Sequence, residues 1–243
     1  PADPAALRAR QAAVAELAPR LDLRESLALL GEDVRGKVQP EALAAWGEAP
    51  ARLPTQNQRW IAGGLAAATI LAGVAWGLGW GAIPFYVLVV GGRVFDWPLR
   101  GPVKQVVRDL NGPLRDLSLL SEMLARLERE TFQSPRLQEL QQSLRMDGEP
   151  PSARIARLQT LAGSLAVAQN QLLALPASLV LWTTQYAFAI EAWRAAHGPA
   201  LHGWLDSLGE FEALNALAGY AYEHPADPFP DIAEADALFE AKD

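Results

Sequence analysis

The residues whose types and spacing could perform chemistry form no complete site, although one segment imitates a phosphate-binding loop. From Gly31 to Lys37 the chain has the glycine and lysine spacing of that loop. Val38 follows where the motif needs a hydroxyl group to hold magnesium, and Glu32 and Asp33 would repel phosphate. We therefore interpret this segment as a helix terminus followed by a turn.

The titratable residues that could act as ligands or general acids are isolated from one another. His197 and His202 lie in no HExxH context, and the chain has no cysteine. His224 precedes a proline, and we expect it to cap the C-terminus of a helix. Glu210 and Glu212 should point to different faces of one helix. The sequence therefore predicts no catalytic residue, no cofactor site and no metal site in this segment.

Composition favours a protein built from helices. Alanine and leucine dominate the 243 residues, which are enough for one or two domains. The 21 basic and 28 acidic residues give a net charge of −7, which argues against a large basic surface for nucleic acid. The absence of cysteine is consistent with a reducing compartment. We expect an all-α fold of long helices.

One segment separates this chain from an ordinary helical protein, because no charged residue occurs from Trp60 to Gly92. Roughly 20 apolar residues are enough to cross a bilayer, so we expect this segment to insert into a membrane. A glycine-rich turn at 77–81 divides it. It could form a helical hairpin with both ends on one side, or one long span followed by an interfacial segment. A buried core hairpin of a soluble protein is the remaining alternative.

The charges at the two ends of this segment favour the hairpin. Arg59 precedes it and Arg93 follows it, which suits two cytoplasmic ends under the positive-inside rule. We therefore predict a membrane protein whose helical domain is cytoplasmic. Aromatic residues near the ends and the turn should contact the membrane, namely Trp60, Trp76, Trp80, Phe85 and Tyr86.

The order of the segments predicts a domain into which the hairpin is inserted. Residues 1–47 should form N-terminal core helices, 48–59 a linker, 60–99 the hydrophobic hairpin, which is expected to be transmembrane, 103–222 further long helices, and 223–243 the start of a truncated following domain. Ser152 is expected to be the N-cap of a long helix, which Pro176 should kink or break. A strand is expected over 237–240.

Two terminal segments resemble parts of a known family. The helix from Trp204 to Ala221, together with the proline-containing stretch from Glu223 to Pro230, resembles the end of the core domain in the MutS family. The segment from Leu7 to Leu17 resembles that family's early core helix. The resemblance implies that residues 103–195 belong to the lever region. An apolar hairpin stands where the family has a DNA-gripping clamp.

The resemblance implies the core and lever segment of a membrane-associated, MutS-like DNA mismatch repair ATPase. ATP and magnesium would bind in a C-terminal domain beyond Asp243, and the full-length protein could bind mismatched DNA and form a homodimer. The last helix would pack against the core through Leu208, Phe211, Leu214, Leu217 and Tyr220. The alternative function is a non-enzymatic, membrane-anchored helical scaffold or adaptor.

Overall fold

The fold was analysed in a computed structural model that describes residues 3–53, 56–145, 148–168 and 171–232. Within these ranges the chain is helical and forms no strand, which confirms the all-α class. The strand expected over 237–240 lies outside the described residues.

Eleven α-helices occur in the described part of the chain, and four of them begin at a proline, the residue that tolerates the first turn best. Short 3₁₀ turns at Trp97–Leu99 and Gly198–Ala200 join neighbouring helices. The α-helices are α1 (Pro4–Leu17), α2 (Leu21–Lys37), α3 (Pro40–Glu48), α4 (Gln56–Gly77), α5 (Ile83–Asp96), α6 (Arg100–Glu128), α7 (Pro135–Ser143), α8 (Pro151–Val167), α9 (Gln171–Leu179), α10 (Trp182–His197) and α11 (Leu201–Glu223).

Two predicted helix boundaries are wrong. Helix α8 begins at Pro151, so Ser152 lies in its first turn, where its backbone N–H and hydroxyl donate to the Glu128 carboxylate. The predicted long helix ends earlier, at Val167. Pro176 lies inside α9, and the chain bends after α9, at Leu181, whose φ of 53° places it in the left-handed region. The segment from Gly31 to Lys37 completes α2, which confirms that it is a helix terminus.

The chain divides into two compact units that are each discontinuous in sequence. The first contains Pro1–Val38, Leu119–Ser152 and His202–Asp243. The second contains Gln39–Ser118 and Ala153–Leu201. The hairpin therefore belongs entirely to the second unit, and the helix that resembles the MutS core belongs almost entirely to the first.

The core of the first unit is built around one face of α11. Leu208, Phe211 and Leu214 are buried, as expected. Phe211 packs on Phe132 with the ring centroids 5.6 Å apart. This face fixes the position of α11 within its unit.

Two other residues of α11 that were expected in the core are exposed. Leu217 and Tyr220 are 56% and 55% exposed, so their predicted packing against the core is wrong for the described residues. With 3.6 residues per turn, repeated steps of three rotate away from the core, and Ala218 is buried instead. The Tyr220 hydroxyl donates to the Asp227 carboxylate at 2.5 Å, which holds the segment after the helix.

An ion-pair network also joins helices of the first unit. Arg136 donates through two nitrogens to the Glu210 carboxylate, with Nε 2.9 Å from Oε1, and Arg10 donates to the same oxygen at 3.2 Å. The hydrogen bond from Arg136 lowers the pKa of Glu210 below its ordinary value. Burial of this carboxyl acts in the opposite direction and is outweighed.

In the second unit, a buried ion pair holds the loop that leads to the hairpin. Glu191 and Arg194 are buried on α10, with Arg194 Nη2 2.9 Å from Glu191 Oε2. Glu191 Oε2 also accepts from the backbone N–H of Arg52 at 2.8 Å, and Arg194 donates to the carbonyl of Pro50 at 3.1 Å. The pair is therefore satisfied by the backbone just before α4.

The register of α11 predicts that the same substitution destabilises the fold strongly at one leucine and hardly at all at another. Leu214→Ala should lower the free energy of unfolding by about 2–5 kcal/mol, because it leaves a cavity in the core. Leu217→Ala, its exposed control on the same helix, should change that free energy by less than about 0.5 kcal/mol. Urea titrations followed by circular dichroism measure both, and equal losses would contradict the register.

The Glu210 network predicts stability that depends on pH. A carboxyl whose pKa is lowered by folding stabilises the fold above its unfolded pKa, and that contribution disappears as the pH falls through the folded pKa. Glu210→Gln should therefore lower the free energy of unfolding by about 1–3 kcal/mol near neutral pH, and by progressively less below the ordinary value of 4.5.

The control for this prediction is Glu139→Gln, which removes a more exposed carboxylate that pairs with the same Arg136. It should cost less than about 1 kcal/mol at neutral pH. A loss for Glu210→Gln that stays constant from about pH 7 to pH 3 would contradict the role given to this ion pair.

Candidate membrane-insertion site

The uncharged segment forms two helices that contact each other, α4 and α5, joined by a short turn. A Schellman cap ends α4, because Trp80 N–H donates to Ala75 O at 3.0 Å and Gly79 N–H donates to Trp76 O at 2.9 Å. Gly79 has a φ of 91°, which a residue with a side chain rarely adopts. Pro84 then stands in the first turn of α5.

Aromatic contacts close the hairpin near its turn. The Trp76 ring lies 5.5 Å from Phe85 and 5.8 Å from Tyr86, measured between centroids. A Cβ added at Gly73 would lie 3.5 Å from the Phe85 ring, an ordinary packing distance. The structure therefore favours a hairpin over a single span followed by a separate interfacial segment.

The surface of the hairpin is apolar and exposed. Trp60 and Trp80, two of the predicted membrane contacts, are 74% and 83% exposed, whereas Phe85 is half-buried by the hairpin itself. The large hydrophobic residues exposed between Ile70 and Val90 are Ile70, Leu71, Val74, Trp76, Leu78, Trp80, Ile83, Tyr86, Val87 and Val90. Soluble monomers rarely expose so continuous an apolar patch.

A polar layer crosses the base of this apolar surface, where Trp60, Val94 and Trp97 are exposed as well. Arg93 Nη2 donates to the Ser178 hydroxyl at 3.0 Å, and the Thr184 hydroxyl donates to Asp96 Oδ1 at 2.6 Å. Arg100 Nε also donates to the Asp96 carboxylate, at 3.2 Å. These residues link the end of α5 to α9 and α10.

The part of the hairpin between the polar layer and the turn is short. Gly92 lies just before Arg93, and a Cβ added there would lie 3.7 Å from Leu65, so this point of α4 is level with the polar layer. The helical rise of 1.5 Å per residue gives about 20 Å for α4 from Leu65 to Gly77 and about 15 Å for α5 from Ile83 to Gly92.

A further apolar element lies beside the polar layer. Helix α9 contains Ser178, the partner of Arg93, and exposes Leu173 and Leu175. The chain bends by 70° between α9 and α10. Neither this helix nor the polar side chains Asp96 and Thr184 was identified as part of the site from the sequence.

A cleft of about 680 Å³ opens between α4 and α10. Gly63, Ala66 and Ala67 of α4 form one side, and Trp182 and Tyr186 of α10 form the other. The Trp182 indole donates from Nε1 to the carbonyl of Ser164 at 2.8 Å, which holds the ring in place. Arg59 also lines the cleft.

Within the described residues, one helix is long and apolar enough to cross a membrane, over Asn57–Gly77 of α4. A bent pair of helical segments, which begins at Leu173 and resumes at Trp182, would count as a second if it formed one span. Only 17% of the most apolar window of α4 is buried, whereas the core helix of a soluble protein is mostly buried. This exposure argues against the buried core hairpin considered from the sequence.

The residues first considered for chemistry have ordinary structural contacts. A Cβ added at Gly31 would lie 3.2 Å from Glu212 Oε1, within the first unit. His224 Nδ1 lies 3.2 Å from the carbonyl of Tyr220 at the end of α11, the capping position predicted for it. His197 Nδ1 lies 2.8 Å from an Arg154 nitrogen, and His202 pairs with Asp206 at 3.3 Å. Across the residues that the structure describes, no group of three potential ligands could hold a metal ion.

Comparison with protein-family models, with curated proteins and with solved structures finds no match for this chain. Its resemblance to the MutS family therefore stays a prediction from the sequence.

Proposed function

We propose that this chain is a membrane-anchored helical scaffold, and that the hairpin of α4 and α5 is the anchor. The continuous exposed apolar surface of the hairpin between Ile70 and Val90 is the observation that carries the proposal, and the polar layer of Arg93 and Asp96 lies at its base. Burial of such a surface in lipid removes it from water, which is favourable in proportion to its area.

The length of the shorter leg limits the depth of insertion. Helix α5 offers about 15 Å of uncharged helix, whereas the hydrocarbon core is about 30 Å thick. The hairpin therefore enters one leaflet and returns, and both of its ends stay on the side that it entered.

The cations at the base of the hairpin support a cytoplasmic location for the rest of the chain. Arg59, Arg93 and Arg100 lie at the polar layer or on the side of it away from the hairpin turn. The turn itself has no charged residue. Basic residues beside an inserted segment are most frequent on the cytoplasmic side. The role of the anchor is to hold the helical units at that membrane surface, where they can capture partners without catalysis.

The proposal predicts that one charge in the hairpin weakens membrane binding. Leu71 is 69% exposed on α4, so Leu71→Glu should leave the fold unchanged. It should cost about 3 kcal/mol in the membrane, which lowers partitioning into phosphatidylcholine vesicles roughly a hundredfold. Co-flotation of the chain with the vesicles measures this.

The matched control is Leu29→Glu on α2, at a leucine that is 63% exposed in the other unit. It should bind vesicles within about twofold of the unaltered chain, because an exposed substitution outside the anchor has little effect. An unaltered chain that stays in the aqueous phase, or equal binding of the two variants, would contradict the proposal.

A second candidate is the coupling function that the MutS resemblance implies. Two contacts favour it, because Arg8 donates to the carbonyl of Ile232 and Gln11 to that of Pro230, both at 2.8 Å. The chain leaving α11 therefore lies against α1. We propose that, in this case, ATP and magnesium in a following domain move these helices, and that mismatched DNA and a homodimer partner bind the full-length protein.

This candidate requires a response to nucleotide. In the full-length protein, ATP with magnesium should change the amide hydrogen exchange of α1. Failure to bind ATP, or exchange that ATP leaves unchanged, would remove the coupling function and leave the scaffold.

A further inference from the structure

We propose that the cleft between α4 and α10 binds one anionic phospholipid, with its phosphate at Arg59 and an acyl chain along α4. The inference rests on the proposed function in one respect, because the membrane that holds the hairpin supplies the lipid. It adds a defined binding site to a chain otherwise described as an anchor.

The size and lining of the cleft fit an acyl chain. Its volume of about 680 Å³ is within the range of about 300–1,000 Å³ that is usual for ligand pockets. Gly63, Ala66 and Ala67 leave a shallow channel along α4, and the rings of Trp182 and Tyr186 stand opposite. These rings contact each other at 4.9 Å between centroids, and Gln185 is the polar side chain on the same side of the cleft.

The charge in the cleft selects an anionic headgroup. Arg59 is the one ionisable side chain with a full charge at neutral pH among the described residues that line it. It lies at the end of the cleft farther from the hairpin turn. A guanidinium group binds phosphate with charge-assisted hydrogen bonds, often through two nitrogens. A zwitterionic headgroup would bring a second cation towards Arg59.

The direction of the cleft joins it to the membrane. It follows α4 from Arg59 to Ile70, a rise of about 16 Å, of which about 8 Å, from Leu65 to Ile70, lies on the membrane side of the polar layer. Ile70 lies beyond Leu65, the residue level with the polar layer, so this end of the cleft meets the inserted part of the hairpin. A lipid of the adjacent leaflet can therefore enter the cleft from the Ile70 end, with the end of its tail on the membrane side of the polar layer and its phosphate about 9 Å beyond Leu65, at Arg59.

Two adjacent glycines provide a test with a matched control. A Cβ at either Gly63 or Gly64 would meet no atom within 4 Å, so both positions tolerate a larger side chain. Only Gly63 lines the cleft. Native mass spectrometry of the detergent-solubilised chain, titrated with phosphatidylglycerol, counts the lipids bound per chain.

We expect the unaltered chain and Gly64→Leu to bind one phosphatidylglycerol, and Gly63→Leu to bind it at least about tenfold more weakly, because its side chain fills the channel.

Arg59→Gln should reduce the preference for phosphatidylglycerol over phosphatidylcholine about tenfold, whereas Arg108→Gln, an exposed control on α6, should keep it. Equal binding by the two glycine variants would overturn the site. A preference that survives Arg59→Gln would overturn the role of the cation.

Failure of this inference is distinguishable from failure of the anchor. Flotation with phosphatidylcholine vesicles reports insertion of the hairpin, which does not need the cleft. A chain that floats but shows no difference between Gly63→Leu and Gly64→Leu retains the anchor and loses the lipid site. If the chain does not float, the anchor proposal is contradicted. Lipid binding in the mass spectra then still tests the cleft independently.

Discussion

The exposed apolar surface of the hairpin must be removed from water, and the arrangement of the second unit depends on this constraint. The hydrophobic effect stabilises burial roughly in proportion to apolar area, so residues such as Leu71 and Trp80 would be unfavourable if they stayed solvated. The membrane insertion that we propose would place them in lipid. A helical hairpin also satisfies its backbone hydrogen bonds internally, which an inserted segment requires.

The hairpin is part of the second unit and not a tail attached to it. Ala62, Ala66 and Thr69 of α4 are buried, whereas the opposite face and the end of the helix are exposed. The polar layer ties the base of α5 to α9 and α10, and the buried pair of Glu191 and Arg194 holds the loop before α4. The same unit therefore fixes the hairpin at its base and exposes it beyond the polar layer.

Periodicity and proline positions were sufficient to predict most of the helical segments, because both act locally along the chain, but they did not predict where α8 begins and ends. The hairpin was predictable as well, since charge is absent from Trp60 to Gly92 and glycines interrupt the segment. Contacts between residues distant in sequence were not predictable, because folding alone brings Thr184 to Asp96 and Ser178 to Arg93. The predicted packing of Leu217 failed for a related reason, because a leucine at helical spacing does not reveal how far the core extends.

The depth of the hairpin turn in a bilayer tests the account most directly. The chain has no cysteine, so Leu78→Cys places a single thiol in the turn for labelling with a fluorophore. We expect nitroxides at the ends of lipid acyl chains to quench it more strongly than nitroxides near the headgroups, and we expect the unlabelled thiol to resist membrane-impermeant maleimide. Reaction with maleimide sealed inside the vesicles would show a complete crossing, and reaction from outside would show no insertion; either result would contradict a hairpin that occupies one leaflet.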